Sequence, residues 1–126
     1  DEVRDARDHN GCGCLHWAAG EGLLEVCRFL LEHIGISVHV PTWNRRTPLH
    51  YAARNGRLEV CRFLVREASA DANALARDDV TPFQMAVWQN HMEVAEWLGS
   101  REDVDPRQVN RFNCTAGHWL ALADSV

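Results

Sequence analysis

Apolar residues along this chain fall into short clusters at helical spacing, separated by stretches of polar residues. The middle of the chain shows the pattern best. Thr47 is a favourable N-cap and Pro48 fits the first helical position, whereas Gly56 accepts the left-handed conformation in which helices often end. A second apolar stripe then runs from Leu58 to about Arg66. The pattern predicts two short antiparallel helices.

This two-helix pattern recurs at a constant interval. Its first helix opens near residues 13, 47 and 81, which are 34 residues apart, and a degenerate fourth copy opens at Thr115. The polar stretch after each helix pair, such as 68–80, predicts an extended loop or hairpin. A fixed interval of this length is the signature of a stacked repeat array. We therefore predict one domain, 1–126, divided into a leading partial hairpin (1–12), three repeats (13–46, 47–80 and 81–114) and a partial fourth repeat (115–126).

The segment Thr47-Pro48-Leu49-His50-Tyr51-Ala52-Ala53 carries the pattern Thr-Pro-Leu-His-x-Ala-Ala, and in this the chain resembles the ankyrin repeat family. The resemblance implies an all-α fold, a helical repeat solenoid in which antiparallel helix pairs stack and β-hairpin-type loops join them. It also implies hydrogen bonds between Thr and His across the helix start, in the pairs Thr47 with His50 and Thr115 with His118. The tetratricopeptide repeat has a similar period, but its Trp, Gly and Tyr landmarks are absent here.

The copies depart from the family pattern at several positions. Gly13-Cys14 stands where Thr-Pro is expected, Gln84 replaces the motif His, and Asn90 replaces the Gly after the first helix. Repeats of the family are usually about 33 residues long. We expect the extra residue of this chain between the second helix and the hairpin, around Ile34 and Glu67.

The resemblance also indicates where a partner binds, since such arrays generally bind proteins in a concave groove formed by hairpin tips and the ends of first helices. At the matching positions the chain carries Trp, Arg and Phe, which are enriched in interface hot spots or give large contact area. The predicted partner-binding residues are Trp43, Asn44, Arg46, Arg54, Asn55, Arg77, Asp78, Trp88, Gln89, Arg111 and Phe112. The arginines indicate a protein or peptide partner with an acidic or phosphorylated segment. The alternative is that Arg54 and Arg77 are simply solvated and that Trp43 packs on the neighbouring hairpin.

Three functions fit this pattern. The first is a non-catalytic protein–protein interaction module, and the second is a structural segment of a longer array. The third is a regulatory module attached to an enzyme domain in a longer protein. Because 115–126 stops before a second helix, we expect an excised piece that continues into further repeats, with a weakly stable end near Trp119.

Composition narrows these possibilities. The chain has 126 residues, 46% hydrophobic and 25% charged, as expected for one globular domain. Its formal net charge of −5 argues against general nucleic-acid binding. No apolar run reaches the length of a membrane span, and the N-terminus does not resemble a secretion signal. The five cysteines, an odd number, indicate reduced thiols and an intracellular, cytoplasmic location.

Candidate chemical sites are weak. Cys12 and Cys14, with His9 and His16 nearby, are closer together than the ligands of most structural zinc sites, and no matching pair follows. We therefore predict no metal site. The chain also lacks a Gly-rich phosphate loop, a nucleophile elbow and a helical His-Glu-x-x-His motif, so we predict neither a cofactor nor enzyme activity.

Several conspicuous residues are instead predicted to pack in the core. Cys27 and Cys61 share one position of successive repeats and are interpreted as small buried hydrophobes rather than nucleophiles or disulfide partners. Two aromatic-rich series at motif positions receive the same interpretation. The first is Trp17, Tyr51, Met85 and Trp119, and the second is Phe29, Phe63 and Trp97.

Overall fold

Six helices form three antiparallel pairs in the part of the chain that the structure describes. This structure, a computed structural model, describes residues 7–8, 11–101 and 104. The first helices of the three pairs are α1 (Cys14–Glu21), α3 (Pro48–Arg54) and α5 (Pro82–Trp88), and the second helices are α2 (Leu24–Phe29), α4 (Leu58–Arg66) and α6 (Met92–Gly99). No strand ladder forms among these residues, where an isolated bridge pairs Ala76 with Val80. The prediction of an all-α repeat fold is confirmed.

The first helices of repeats two and three begin at reciprocal capping hydrogen bonds. The backbone N–H of His50 donates to Thr47 Oγ1 (3.4 Å), and the backbone N–H of Thr47 donates to His50 Nδ1 (3.0 Å). Thr81 and Gln84 make the same two bonds at 3.1 and 3.3 Å. These bonds satisfy backbone donors that a helix start otherwise leaves free. The expected Thr47–His50 pair is confirmed.

The start of α1 has only half of this arrangement. The backbone N–H of Gly13 donates to His16 Nδ1 (2.9 Å), but Gly13 has no side chain to accept a bond in return. The corresponding pair of the fourth copy, Thr115 with His118, lies outside the described residues.

A tight chain reversal precedes each first helix; we call these reversals finger 1 (8–12), finger 2 (42–46) and finger 3 (76–80). In each finger the N–H of the first residue donates to the carbonyl of the last residue, at 2.9, 2.9 and 2.8 Å. The fourth residue of each is left-handed, at φ 80°, 61° and 62°. The loops predicted as β-hairpin-type are therefore compact in fingers 2 and 3, and the described residues of finger 1 (8, 11 and 12) share their closing bond and left-handed residue.

The second helices of repeats one and two end in a widened turn. The helix α2 continues as a π-helix, Leu30–Ile34, after which the Gly35 N–H donates to the Leu30 carbonyl at 3.0 Å. In repeat two the Ala68 N–H donates to the Phe63 carbonyl, also five residues back, at 3.1 Å. A bond that reaches five residues back takes in one more residue than an α turn, and both bonds lie near Ile34 and Glu67, where we expect the extra residue of the longer repeat.

The core lies between a row of first helices and a row of second helices. In the first row α3 contacts α1 and α5, and in the second row α4 contacts α2 and α6. Alanines on the first helices let neighbouring helices approach closely, and leucine and valine fill the space between the rows. Fully buried members of this core are Leu15, Ala19, Leu49, Ala53, Val60, Leu64, Val94 and Leu98.

The two helix-core cysteines behave as predicted. Cys27 and Cys61 are completely buried and free. Burial raises the pKa of Cys27 to about 11 and that of Cys61 to about 12, so both are neutral thiols. They fill core space as small hydrophobes.

The prediction that the aromatic series pack in the core is wrong for repeat one. Trp17 is 65% exposed, whereas Met85 at the same position of repeat three is buried. Phe29 is 51% exposed, whereas Phe63 one repeat later is only 6% exposed. The cause is geometric, because these positions face the preceding repeat and repeat one has none among the described residues. Trp119 lies outside them.

Candidate functional site

A groove runs between finger 1 and the ends of the first helices. Asp8 and Cys12 of finger 1 border a cavity of about 200 Å³, and Glu21 and Asn55 border the same cavity at the ends of α1 and α3. Its lining also includes the side chain of Tyr51. This cavity, called the groove below, spans repeats one and two and connects a finger to two helix ends.

Tyr51 organises the floor of the groove. Cys12 Sγ donates a hydrogen bond to Tyr51 Oη at 3.2 Å, and the ring of His16 meets the Tyr51 ring edge-on, with 5.7 Å between centroids. The Arg46 guanidinium lies over the Tyr51 ring, 5.9 Å from its centroid. Burial and the contact with Cys12 raise the pKa of Tyr51, which keeps its hydroxyl neutral. The floor is therefore an uncharged aromatic surface with a cation beside it.

Two buried histidines hold the chain leading to each later finger against a first helix. His16 Nε2 lies 2.7 Å from the Val40 carbonyl, and His50 Nε2 lies 2.9 Å from the Val80 carbonyl. In both rings Nδ1 accepts a backbone N–H, so Nε2 carries the proton and donates. Burial lowers the pKa of His50 to about 4 and also lowers that of His16, which keeps both neutral. The positions of the fingers thus depend on neutral imidazoles.

Trp43, at the second position of finger 2, packs on finger 1 and is nevertheless 67% exposed. A Cβ atom at Gly11 would lie 2.5 Å from the indole, so the glycine permits this approach. The Arg7 guanidinium lies 5.7 Å from the indole centroid and donates to the carbonyls of Pro41 (2.7 Å) and Gly11 (2.9 Å). Trp43 therefore packs on the neighbouring finger, which was the alternative interpretation of this residue. The exposed part of its ring remains available for contact with a partner.

Asn44 and Arg77 connect fingers 2 and 3. The backbone N–H of Arg77 donates to the Asn44 carbonyl at 2.8 Å, and Arg77 Nη1 donates to Asn44 Oδ1 at 3.4 Å. Arg77 itself is exposed. The structure thus brings these two predicted residues together, and the contact fixes the spacing of the two fingers.

The predicted residues at the helix ends fall into two groups. Asn55 Nδ2 donates to the Gly20 carbonyl at 2.9 Å, which ties the end of α3 to α1. Arg54, Trp88 and Gln89 are exposed, and Trp88 is 63% exposed although its side chain is large and mostly apolar. Asn55 therefore joins two repeats, and the side chains of Arg54, Trp88 and Gln89 are exposed.

Opposite charges are paired mainly on the second helices. Arg28 approaches Glu32 and Glu67 at 3.9 and 3.8 Å, and Arg62 approaches Glu59 at 3.7 Å. By contrast, none of the carboxylates described in the structure is in ion-pair contact with the arginines of the fingers and first-helix ends. These arginines are Arg45, Arg46, Arg54 and Arg77.

Some of the predicted site residues lie outside the described part of the chain, and the prediction missed other residues that the structure places near the groove. Arg111, Phe112 and the side chain of Asp78 lie outside the part of the chain that the structure describes. Trp17 and Tyr51 border the groove, although the motif indicated core positions for both. The second donor to the Gly20 carbonyl, Arg57 Nε at 3.1 Å, was also missed. No local signal identifies a side chain that reaches a neighbouring repeat.

The described residues offer no set of metal ligands, since no three His, Cys, Asp or Glu side chains come together in this part of the chain. None of the helices within the same ranges is long and apolar enough to cross a membrane.

The family model for ankyrin repeats matches residues 15–110 of the chain, in three copies. The match covers the three helix pairs and the later two fingers. No curated protein matches the chain.

Proposed function

The chain belongs to the ankyrin repeat family, whose repeats are generally protein–protein interaction modules, and we propose that it binds an anionic peptide segment of a protein partner. The segment lies along the fingers and the ends of the first helices, and the chain carries out no catalysis, as is typical of the family. The observation that carries this proposal is the distribution of charge. The arginines of this side are without carboxylate partners among the described side chains, whereas Arg28 and Arg62 of the second helices are paired with glutamates.

The chemistry of the exposed arginines supports an acidic or phosphorylated segment. A guanidinium presents several N–H donors in a plane and binds a carboxylate or phosphate through two parallel hydrogen bonds. Arg54 and Arg77 are exposed, so their donors can reach a partner. The net charge of −5 does not oppose this, because attraction at short range depends on local rather than total charge.

The exposed tryptophans support contact with a protein rather than with a small anion. Trp43 is supported on one side by Gly11 and Arg7, so little side-chain entropy remains to be lost on binding. Gly20, Arg54 and Trp88 occupy the same position of successive repeats, 34 residues apart. Gly20 borders the groove, so by the repeat geometry Arg54 and Trp88 continue its line. Rigid aromatic residues of this kind are frequent hot spots.

Selection from a random library of 12-residue peptides, with and without phosphorylated Ser and Thr, tests the proposal. We expect enrichment of acidic or phosphorylated sequences, with affinities that fall as salt is raised. Arg54→Glu should weaken binding of the selected peptides at least about tenfold, which corresponds to roughly 1.4 kcal/mol. The matched control is Arg62→Glu, the same charge change on α4, which should leave the affinity unchanged.

Circular dichroism of both variants checks that the fold is retained. Equal losses in the two variants would mean that total charge, and not this surface, governs binding. Selection of neutral or basic peptides would overturn the anionic segment, and selection of no peptide would overturn peptide binding in the groove.

A second candidate function is that the chain serves as a structural segment of a longer array, because one face of repeat one is apolar and exposed. An intracellular location is also proposed, since repeats of this family are usually intracellular and the buried thiols Cys27 and Cys61 are free. Trapping of these thiols with an alkylating reagent immediately after cell lysis in denaturant checks the redox state.

A further inference from the structure

The side of repeat one that faces away from repeat two exposes a row of apolar side chains. Trp17 and Phe29 are more than half exposed, and Leu23 and Val26 are 44% and 43% exposed. A groove of about 430 Å³ lies among Trp17, Leu23, Val26 and the half-buried Cys14. We call Cys14, Trp17, Leu23, Val26 and Phe29 the N-terminal face. Contiguous apolar surface of this kind generally marks an interaction site.

The same positions are covered inside the stack. Val60 and Val94, which correspond to Val26, are 1% and 0% exposed. Phe63, which corresponds to Phe29, lies under the Arg28 guanidinium of the preceding repeat, 4.8 Å from its ring centroid. The N-terminal face is therefore the open end of an interface that occurs twice among the described repeats.

The N-terminal face is also more apolar than its counterparts within the stack. Leu23 stands where repeats two and three have Arg57 and His91. Arg57 donates to the Gly20 carbonyl of the preceding repeat, whereas Leu23 has an apolar side chain with no donor at this position. Terminal repeats that end an array in water have a polar outer face. The composition of this face is that of an internal surface.

The described residues of finger 1 share two features with the fingers that follow a second helix. Fingers 2 and 3 each lead from a second helix to the next first helix, and finger 1 has the same closing hydrogen bond, from Asp8 N–H to the Cys12 carbonyl at 2.9 Å. Its left-handed residue, Gly11, corresponds to Arg45 and Asp79. Finger 1 thus has the closing bond and the left-handed residue of the finger that joins repeats one and two.

We propose that the N-terminal face is covered by one more helix pair of the same repeat type, located before residue 7 in the same polypeptide. This proposal is independent of the peptide-binding function proposed above. The contacts within the stack define the chemistry of the covering pair. Its second helix carries an arginine that lies over Phe29, as Arg28 lies over Phe63 and Arg66 over Trp97. Its first helix carries an imidazole or amide that meets the Trp17 ring, as His16 meets Tyr51.

Oxidative footprinting by hydroxyl radicals, read by mass spectrometry, tests this inference. The native polypeptide, isolated from the cells that produce it, is compared with the 126-residue chain. The ratio of the exposed fractions of Phe29 (51%) and Phe63 (6%) predicts roughly eightfold lower oxidation of Phe29 in the native polypeptide. Trp17 should be protected in parallel, whereas Trp88 serves as the reference and is oxidised in both samples.

Equal oxidation of Phe29 in the two samples overturns the proposal. Protection in the 126-residue chain that disappears on dilution also overturns it, because a second copy of the chain would then be the occupant. The variant Phe29→Arg gives a second measurement. It should lower the unfolding midpoint of the native polypeptide much more than that of the 126-residue chain; equal shifts in the two would contradict a buried face.

Discussion

Repeats one and two carry the same motif positions in different surroundings. Phe29 and Phe63 are the same residue at the same position of their repeats, and one is half exposed while the other is buried. Arg28 of the preceding repeat lies over Phe63, and the ring that Phe29 contacts is its own helical neighbour His33, at 5.3 Å. The comparison shows that the motif fixes where a side chain points, whereas the adjacent repeat decides whether it is buried.

The two repeats also differ in how their first helices begin. Repeat two has Thr47 and its two capping bonds, whereas repeat one has Gly13 and one bond. Stability of a repeat array is approximately the sum of the intrinsic stability of each repeat and the interface terms between neighbours. Repeat one is therefore weaker than repeat two in both terms.

The largest expected effect comes from truncating the two phenylalanines. Phe63→Ala should lower the free energy of unfolding by about 3–5 kcal/mol, because it removes a buried ring and leaves a cavity. Phe29→Ala should cost about 1 kcal/mol or less, since much of this ring is already in water. Urea unfolding followed by circular dichroism at 222 nm measures both values.

Phe63→Leu provides a milder variant in case the alanine variant does not fold, and the order of the two positions should be kept. Equal losses at positions 29 and 63 would contradict the comparison. They would mean that the ring of Phe29 is buried in the isolated chain, by self-association or by residues outside the described part.

A second, somewhat smaller effect should appear on acidification. His50 has a pKa of about 4 in the folded chain against an ordinary value of 6.5, so the unfolded chain binds more protons between these values. The stability that depends on a neutral His50 is then fully present above pH 6.5 and is lost progressively as the pH falls towards 4. A shift of this size corresponds to about 3 kcal/mol. Urea unfolding at several pH values between 7 and 4 measures the loss.

Repeat three supplies the matched control for this effect. Gln84 occupies the position of His50 and makes the same capping bonds with Thr81. His50→Gln should therefore retain much of the stability at pH 7 and show a shallower loss below pH 6.5. An unchanged pH dependence in this variant would assign the acid sensitivity to other groups.

The regular part of the fold could be predicted from sequence because its signals are local. Thr47 and Pro48 mark the start of a helix, and Gly56 allows the left-handed turn at its end. Asn90 replaces this glycine in repeat three and adopts the same left-handed conformation, at φ 61°. The exposure of Trp17 could not be predicted, because its cover depends on a neighbour and not on its own segment.

The candidate site could be predicted only in outline for the same reason. The exposed positions of Trp43, Arg77 and Trp88 follow from the repeat pattern. The bond from Asn55 to the Gly20 carbonyl joins residues 35 apart, and the bond from Cys12 to Tyr51 joins residues 39 apart. Contacts at such separations depend on how the repeats stack, which no single motif records.

The smallest expected effect concerns the helix starts. Thr47→Gly should lower the free energy of unfolding by roughly 0.5 kcal/mol, because the side-chain acceptor for the His50 N–H is lost. Gly13→Thr should raise it by a similar amount, since Thr supplies that acceptor and restricts the unfolded chain. Gly13 has φ −100° and ψ −174°, an extended conformation that Thr adopts without strain.

The two changes together exchange the caps of repeats one and two and leave the total number of Thr caps constant. If the cap acts only on its own helix, the effects should cancel in the double variant, and unfolding should have nearly the wild-type midpoint. A larger cost for Thr47→Gly than gain for Gly13→Thr would show that the cap also supports His50, whose Nδ1 lies 2.9 Å from Thr47 Oγ1 and whose Nε2 holds the chain at Val80. The difference between the two free energies then measures how much of the stabilisation by the Thr47 cap comes from holding finger 3 in place rather than from helix α3 itself.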